Sequence, residues 1–186
     1  MRIISGDFKG KKILLPKNKQ TRPLKDLTKE SIFNIINHSN LININLKNSN
    51  VLDLFSGVGS FGLECLSRGA KKVTFVESNV EATKYLRNNL SKLSLSNKTL
   101  IIEKKVDNFL SCDLKEKFEI FFFDPPFADR DFLENLKLIN IKKIFKKKHI
   151  VIIHRERDAN DNFSKFFKPI LTKKYGRSKI IFGVFT

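Results

Sequence analysis

Tryptophan is absent from this 186-residue chain, cysteine occurs only twice, and acidic residues are scarce, with 19 Asp and Glu against 36 Lys and Arg. Cys65 and Cys112 stand far apart in no metal-binding or redox spacing, so we expect two buried free thiols rather than a zinc site or a disulfide framework. No run of about 18 uninterrupted apolar residues occurs, which argues against a membrane-spanning helix. The opening Met1-Arg2-Ile3-Ile4-Ser5-Gly6 lacks the long apolar stretch and small-residue cleavage site of a secretory leader, so a cytoplasmic location is expected. The shortage of acids leaves a formal charge of +17, a field that attracts phosphate polymers and speeds their capture. Lys greatly outnumbers Arg, and Asn, Ile and Phe are abundant, a bias that an A- and T-rich genome would also impose. Such a bias does not by itself leave so few acids, so nucleic-acid contact is the leading reading of the charge. A membrane surface is the weaker one, because no amphipathic anchor is evident.

What is present fits one domain with a real core, carrying a short extension. Short β-like runs at 2–5 and 11–15 flank Gly6 and Gly10 and suggest a hairpin. Residues 16–23, with Pro16 and Pro23 at the ends, read as an exposed basic loop. Leu27, Phe33, Ile35 and Ile36 suggest a helix over 24–38, and Asn-rich sequence from 40 to 50 marks a boundary. Strands and helices then alternate. Strands are expected at 51–55, 72–77, 99–102, 118–123 and 150–153, with helices after the first glycines, at 80–93 and at 132–141. The Lys-rich run 142–148 reads as a solvated helix end. Two further β-runs, 169–175 and 179–185, surround Gly176-Arg177-Ser178. This order implies a mostly parallel sheet covered on both faces, closed by a hairpin.

The first strand runs into Asp53-Leu54-Phe55-Ser56-Gly57-Val58-Gly59-Ser60-Phe61-Gly62, a G-x-G-x-x-G pattern between strand and helix. Glycines there permit a tight turn and close approach of a ligand to the backbone. Glu77, at the end of the second strand, can accept hydrogen bonds from both hydroxyls of a ribose. A nucleoside-containing cofactor follows. Asp53 favours S-adenosylmethionine over a dinucleotide, because a carboxylate beside this loop repels a pyrophosphate and attracts an ammonium and a sulfonium. Asp107, after the third strand, either accepts from an adenine amino group or N-caps the segment that follows.

The aromatic fourth strand ends in Asp124-Pro125-Pro126-Phe127. Two prolines fix φ and remove two donors, leaving carbonyls that only accept. Methyl transfer to an exocyclic base amine needs such acceptors. The Asp124 carboxylate and the Pro125 carbonyl could take the two N–H groups, aim the nitrogen lone pair at the methyl group and stabilise the positive charge that develops. Phe127 would stack on the extruded base. Positioning the two reactants in line would supply much of the rate gain, with no metal.

The chain resembles the bacterial 16S rRNA (guanine(966)-N(2))-methyltransferase family over nearly its full length. The segments that carry the resemblance are Arg2-Ile3-Ile4-Ser5-Gly6 with Lys9-Gly10-Lys11-Lys12, Thr21-Arg22-Pro23, Asp26, Glu30-Ser31-Ile32-Phe33-Asn34, the glycine loop, Gly62-Leu63-Glu64, Leu66-Ser67-Arg68-Gly69-Ala70, Glu77, Asp124 to Phe127 and Tyr175-Gly176. The resemblance implies a class I, Rossmann-like α/β methyltransferase fold: a seven-stranded, mostly parallel sheet with its last strand antiparallel. It implies an extension over 1–49 and a catalytic domain over 50–186. It implies transfer from S-adenosylmethionine to N2 of a guanine in 16S rRNA, within the small ribosomal subunit or its late precursor, by a cytoplasmic monomer. Cofactor contacts fall at Asp53, Phe55, Ser56, Gly57, Gly59, Gly62, Glu77, Ser78 and Asp107. Catalytic residues are Asp124, Pro125, Pro126 and Phe127. Arg2, Lys9, Lys11, Lys12, Thr21, Arg22, Lys25 and Lys29 fall on the RNA side. In a departure from the family pattern, Leu27 stands at an Arg position, where it cannot replace a guanidinium fork. His154-Arg155-Glu156 replaces a more acidic stretch, and His154 reads as a structural or surface residue. The rival readings are an adenine-N6 methyltransferase on DNA or RNA, a non-catalytic RNA-binding assembly factor and, third, an NAD-dependent oxidoreductase.

Overall fold

The computed structural model describes residues 1–16, 24–129 and 131–186. Seven strands form one sheet: β1 (Asn50–Leu54), β2 (Lys72–Val76), β3 (Thr99–Ile102), β4 (Phe118–Phe123), β5 (Phe145–Glu156), β6 (Phe167–Tyr175) and β7 (Ser178–Phe185). Their order is β3-β2-β1-β4-β5-β7-β6. The first five are parallel, and β7 lies antiparallel between β5 and β6. The helices are α1 (Asp26–His38), α2 (Ser60–Ser67), α3 (Val80–Lys92), α4 (Val106–Ser111) and α5 (Phe132–Lys142). This is the α/β class I fold expected from the sequence.

The two-residue period of each strand divides its side chains between two cores. Val51, Phe75, Ile120, Phe122 and Ile152 meet α1, α2 and α3 on one face. Leu52, Leu54, Phe121, Phe123 and Ile153 meet α4 and α5 on the other. An aromatic stack ties the first face together: Phe61 lies parallel to Phe122 at 4.1 Å between ring centres, and Phe33 to Phe61 at 5.2 Å. Residues Ile3, Ile13 and Leu24 of the N-terminal segment belong to that same core. Two buried polar side chains fasten this segment. Glu64 on α2 accepts from the Ile4 and Ser5 N–H groups at 2.8 and 3.0 Å, and Asn89 on α3 accepts from Leu14 N at 2.8 Å. Satisfied buried groups of this kind fix one register, because unpaired alternatives are costly.

One local expectation holds, and three other features differ from what the sequence suggests. The N-terminal runs do pair as a short hairpin: Arg2 bridges Lys12 antiparallel, Ile3 N donates to Lys11 O at 2.9 Å and Ile13 N to Met1 O at 3.2 Å, across a connection that Gly6 and Gly10 turn at φ +83° and +82°. The run 142–148 is not a helix end beyond Lys142. Lys143 turns the chain in the left-handed region, and residues 145–148 already belong to β5. Phe145 anchors that charged stretch by pairing with Phe118 and stacking on Phe185 at 5.1 Å. Between β3 and β4 the short helix α4 carries Val106, Phe109 and Leu110 into the second core. Cys65 is buried, as expected, but Cys112 is exposed because it follows the last turn of α4, beyond the face that packs. The basic loop expected over 16–23 falls on residues 17–23, including Thr21 and Arg22, which lie outside the described residues.

Candidate active site

The order of strands reverses between β1 and β4, and at such a switch the carboxyl ends of neighbouring strands open a crevice. A cleft of about 810 Å³ occupies this position. Its floor is Asp53, one residue short of the end of β1 and 1% exposed. Asp53 Oδ2 accepts from Gly62 N at 2.9 Å, whereas Oδ1 is buried with no partner among the described residues. Burial pushes the Asp53 carboxyl well above the usual carboxylate range, the Gly62 N–H opposes this, and the neighbouring charges of Asp124 and Glu77 add to it. Ser56 Oγ is likewise buried with no partner among the described residues. Native interiors seldom leave such groups unpaired, so an acid and a hydroxyl orphaned in one cleft mark a ligand site.

Phe55 turns the chain out of β1 at φ 58°, a conformation costly for a residue with a side chain. Gly57 follows at φ +55°, where a Cβ would meet nothing within 4 Å, so its backbone lies open to the cleft. Its N–H donates to Glu77 Oε2 at 2.7 Å, and Asn79 N donates to Oε1 at 2.8 Å. Glu77 is thereby aimed while each oxygen keeps a second lone pair. Phe55, Ser56, Gly57, Glu77, Ser78 and Asp107 all line the cleft. Gly59 and Gly62 do not: a Cβ on Gly62 would fall 2.3 Å from Phe75 Cε1, so their absent side chains serve helix-to-sheet packing. Asp107 is not an N-cap. Lys105 holds that position, and Asp107 lies in the first turn of α4 with its carboxylate against Asn108 N.

Asp124 to Phe127, at the end of the neighbouring strand β4, line the same cleft. Asp124 N donates to Leu54 O at 3.3 Å, which ties the turn to β1. The Pro126 carbonyl accepts from Asp129 N at 2.8 Å and from Arg155 Nη1 at 3.3 Å. Arg155 is 2% exposed, pairs with Asp161 through Nε and Nη2, and lies 4.2 Å over the Phe132 ring. Asp124 Oδ1 bonds His154 Nδ1 at 2.8 Å. Among the described residues no hydrogen bond involves Asp124 Oδ2 or the Pro125 carbonyl. Sequence reasoning missed His154 and Arg155. The signal was in the strand ends: β4 and β5 pair Phe123 with Ile153, so the next residues, Asp124 and His154, stand side by side.

Of the residues expected on the RNA side, Arg2, Lys9, Lys11, Lys12 and Lys25 are exposed. Lys29 is not: its side chain is fully buried, donates to Arg2 O at 2.7 Å and lies 3.5 Å from Glu64. Burial lowers its pKa, against the pull of Glu64 and Asp26. The α1 face that packs on α2 carries Lys29 inward, so it is a structural residue. Leu27, at 81% exposure, points away from the core. Among the described residues no group of three or more His, Cys, Asp or Glu could hold a metal ion, and no helix is long and apolar enough to cross a membrane.

Residues 1–184 match the model of the family described as Conserved hypothetical protein 95. Ribosomal RNA small subunit methyltransferase D of Buchnera aphidicola subsp. Baizongia pistaciae is 30% identical over 185 residues, covering 100% of this chain and 91% of its own. Two solved structures share the fold. The "Putative methyltransferase yhhF from Escherichia coli" has a TM-score of 0.84 at 23% identity, over 98% of this chain and 96% of its own. The structure described as "SMU.776, a putative methyltransferase complexed with SAH" has a TM-score of 0.65 at 16% identity, over 85% of this chain and 50% of its own.

Proposed function

The chain belongs to the Conserved hypothetical protein 95 family, with the ribosomal RNA small subunit methyltransferase D proteins as relatives, and on that premise we propose that it transfers the methyl group of S-adenosylmethionine to the N2 amine of a guanine in small-subunit rRNA. The observation that carries this reading is a pair of acceptors unused among the described residues, Asp124 Oδ2 and Pro125 O, in the same cleft as the orphaned Asp53 Oδ1 and Ser56 Oγ. The first pair fits a planar amine, and the second fits a cationic nucleoside.

S-adenosylmethionine supplies an electrophilic methyl on a sulfonium. Asp53 and Ser56 offer acceptors to its ammonium, and Glu77 offers two lone pairs to its ribose hydroxyls. Asp107 lines the same cleft, within the region expected to take the adenine. A carboxylate held above its ordinary pKa by burial and by Asp124 and Glu77 gains most from a cation, because the cation offsets both effects. Asp124 Oδ2 and the Pro125 carbonyl hold the two N–H groups of the amine. These acceptors keep the nitrogen lone pair out of the ring's conjugation and stabilise the positive charge that grows on nitrogen. Phe127 offers its ring to the base, and Pro126, clamped by Arg155 and Asp129, holds the acceptors rigid. The proton then leaves to solvent.

Exposed Arg2, Lys9, Lys11, Lys12 and Lys25 form the RNA-facing part of the segment 1–49 that precedes the catalytic domain, and the sequence adds Thr21 and Arg22, which lie outside the described residues. A formal charge of +17 supports a polyanionic partner, and the acid-lined cleft supports a cationic cofactor within it. The test is transfer of labelled methyl from S-adenosylmethionine to small-subunit particles that lack the modification. Incorporation into the rRNA is expected. Protein that binds particles but transfers no label would leave the assembly-factor reading in its place.

A further inference from the structure

We propose that His154 is a positioning residue for methyl transfer: it holds the Asp124 carboxylate in the rotamer that presents Oδ2 to the amine. The inference rests on the reading of Asp124 as the amine acceptor. His154 Nδ1 lies 2.8 Å from Asp124 Oδ1, with side-chain exposures of 13% and 22%. A carboxylate only accepts, so Nδ1 carries the proton and donates it. This bond occupies Oδ1 and leaves Oδ2 as the one carboxylate acceptor turned to the substrate. The same ring meets Phe127 edge-on, 5.6 Å between centres at 78°. One side chain therefore sets both the acceptor and the aromatic wall. His154 is not placed to take a proton from the amine through Nδ1, because that nitrogen is spent on Asp124.

The tetrapeptide backbone is held by other groups. Arg155 and Asp129 N fix the Pro126 carbonyl, and Asp124 N bonds Leu54 O. His154 itself is set by the β5–β7 ladder opposite Ile180. Loss of the imidazole thus frees the Asp124 side chain while leaving the loop and the sheet in place. Consecutive residues of β5 divide the work: His154 orients the reactive side chain and Arg155 braces the turn. A free carboxylate rotor leaves the acceptor misaimed for part of the time, and misplacement of about 1 Å costs about 100-fold in rate.

The test compares wild-type protein with His154→Phe, His154→Ala and His154→Asn, using S-adenosylmethionine and small-subunit particles. His154→Phe keeps a ring without a donor, and His154→Asn restores an N–H donor close to the position of Nδ1. We expect kcat to fall about 10- to 100-fold in the Phe and Ala variants, with KM for either substrate changed less than about threefold. His154→Asn should recover to within about fivefold of wild type. A His154→Phe protein as fast as wild type, or an Asn variant no faster than the Phe variant, overturns the positioning role alone. Wild-type protein inert toward the particles overturns the functional reading and this inference with it.

Discussion

Asp53→Asn should raise the stability of the free protein at neutral pH while weakening cofactor binding. The substitution is isosteric, and the amide oxygen can still accept from Gly62 N, 2.9 Å away in the native side chain. What it removes is a negative charge that burial, Asp124 and Glu77 all disfavour. The sign follows from linkage. A carboxyl whose folded pKa lies above its unfolded value, about 3.9, favours the fold most below that value, and this contribution is lost as pH rises through the folded pKa. Asparagine does not titrate, so the free variant loses that part of the pH dependence. Binding moves the other way. A hydrogen bond to a charged partner contributes about 1.5–3 kcal/mol, which corresponds to about 10- to 150-fold in affinity. Calorimetry with S-adenosylmethionine measures the affinity, and thermal unfolding between about pH 5 and pH 8, with and without ligand, measures the stability. Undiminished affinity in the variant, or a free variant less stable than wild type at the upper pH, would refute the assignment of Asp53 to a cationic ligand.

Three further predictions rest on other parts of the structure. Asp124→Ala should lower kcat by about 100- to 1,000-fold with cofactor affinity changed little, read by steady-state kinetics beside calorimetry. Lys29→Met should cost about 1–3 kcal/mol in denaturant unfolding, less than the loss of an isolated buried pair because Glu64 keeps Arg68 and two backbone donors. The same variant should leave the salt dependence of RNA binding unchanged, whereas Lys9→Ala or Lys12→Ala should shallow the log–log slope by about one. His149 should make the fold acid-sensitive. Its Nδ1 bonds Lys146 O, its Nε2 accepts from Phe185 N, and burial lowers its pKa. A depressed folded pKa contributes stability above about 6.5 that is lost as pH falls through the folded value. Melting of wild type should therefore drop more steeply between about pH 7 and pH 5 than that of His149→Phe.

The parts of the fold that were legible in the sequence are those with a local physical signature. Apolar runs such as Phe118–Phe123 read as buried strands, and Asp53 through Gly62 read as a strand, a turn and a helix. Asp-Pro-Pro-Phe announces its rigidity through its own covalent chemistry. The parts that escaped depend on which surfaces meet. Nothing near Lys29 signals that its face of α1 closes on Glu64, and a lysine on a helix otherwise reads as solvated. Lys146 to Lys148 hide a strand because its anchor, Phe145, pairs with Phe118 across a register shift. Gly59 and Gly62 fit a cofactor motif, yet their constraint comes from Leu86 and Phe75, side chains far along the chain. His154 looked structural because its partner, Asp124, is 30 residues away. Only the level ending of β4 and β5 brings the two together.

The most direct test of the central claim is the identity of the methylated nucleoside. Small-subunit rRNA from a strain lacking the modification, labelled by this protein with S-adenosylmethionine, is digested to nucleosides and resolved by mass spectrometry. The acceptor pair at Asp124 and Pro125, read with the family resemblance, predicts that the label sits in N2-methylguanosine at a single position. Label in N6-methyladenosine, or no label in rRNA while the protein still binds the particle, would contradict it.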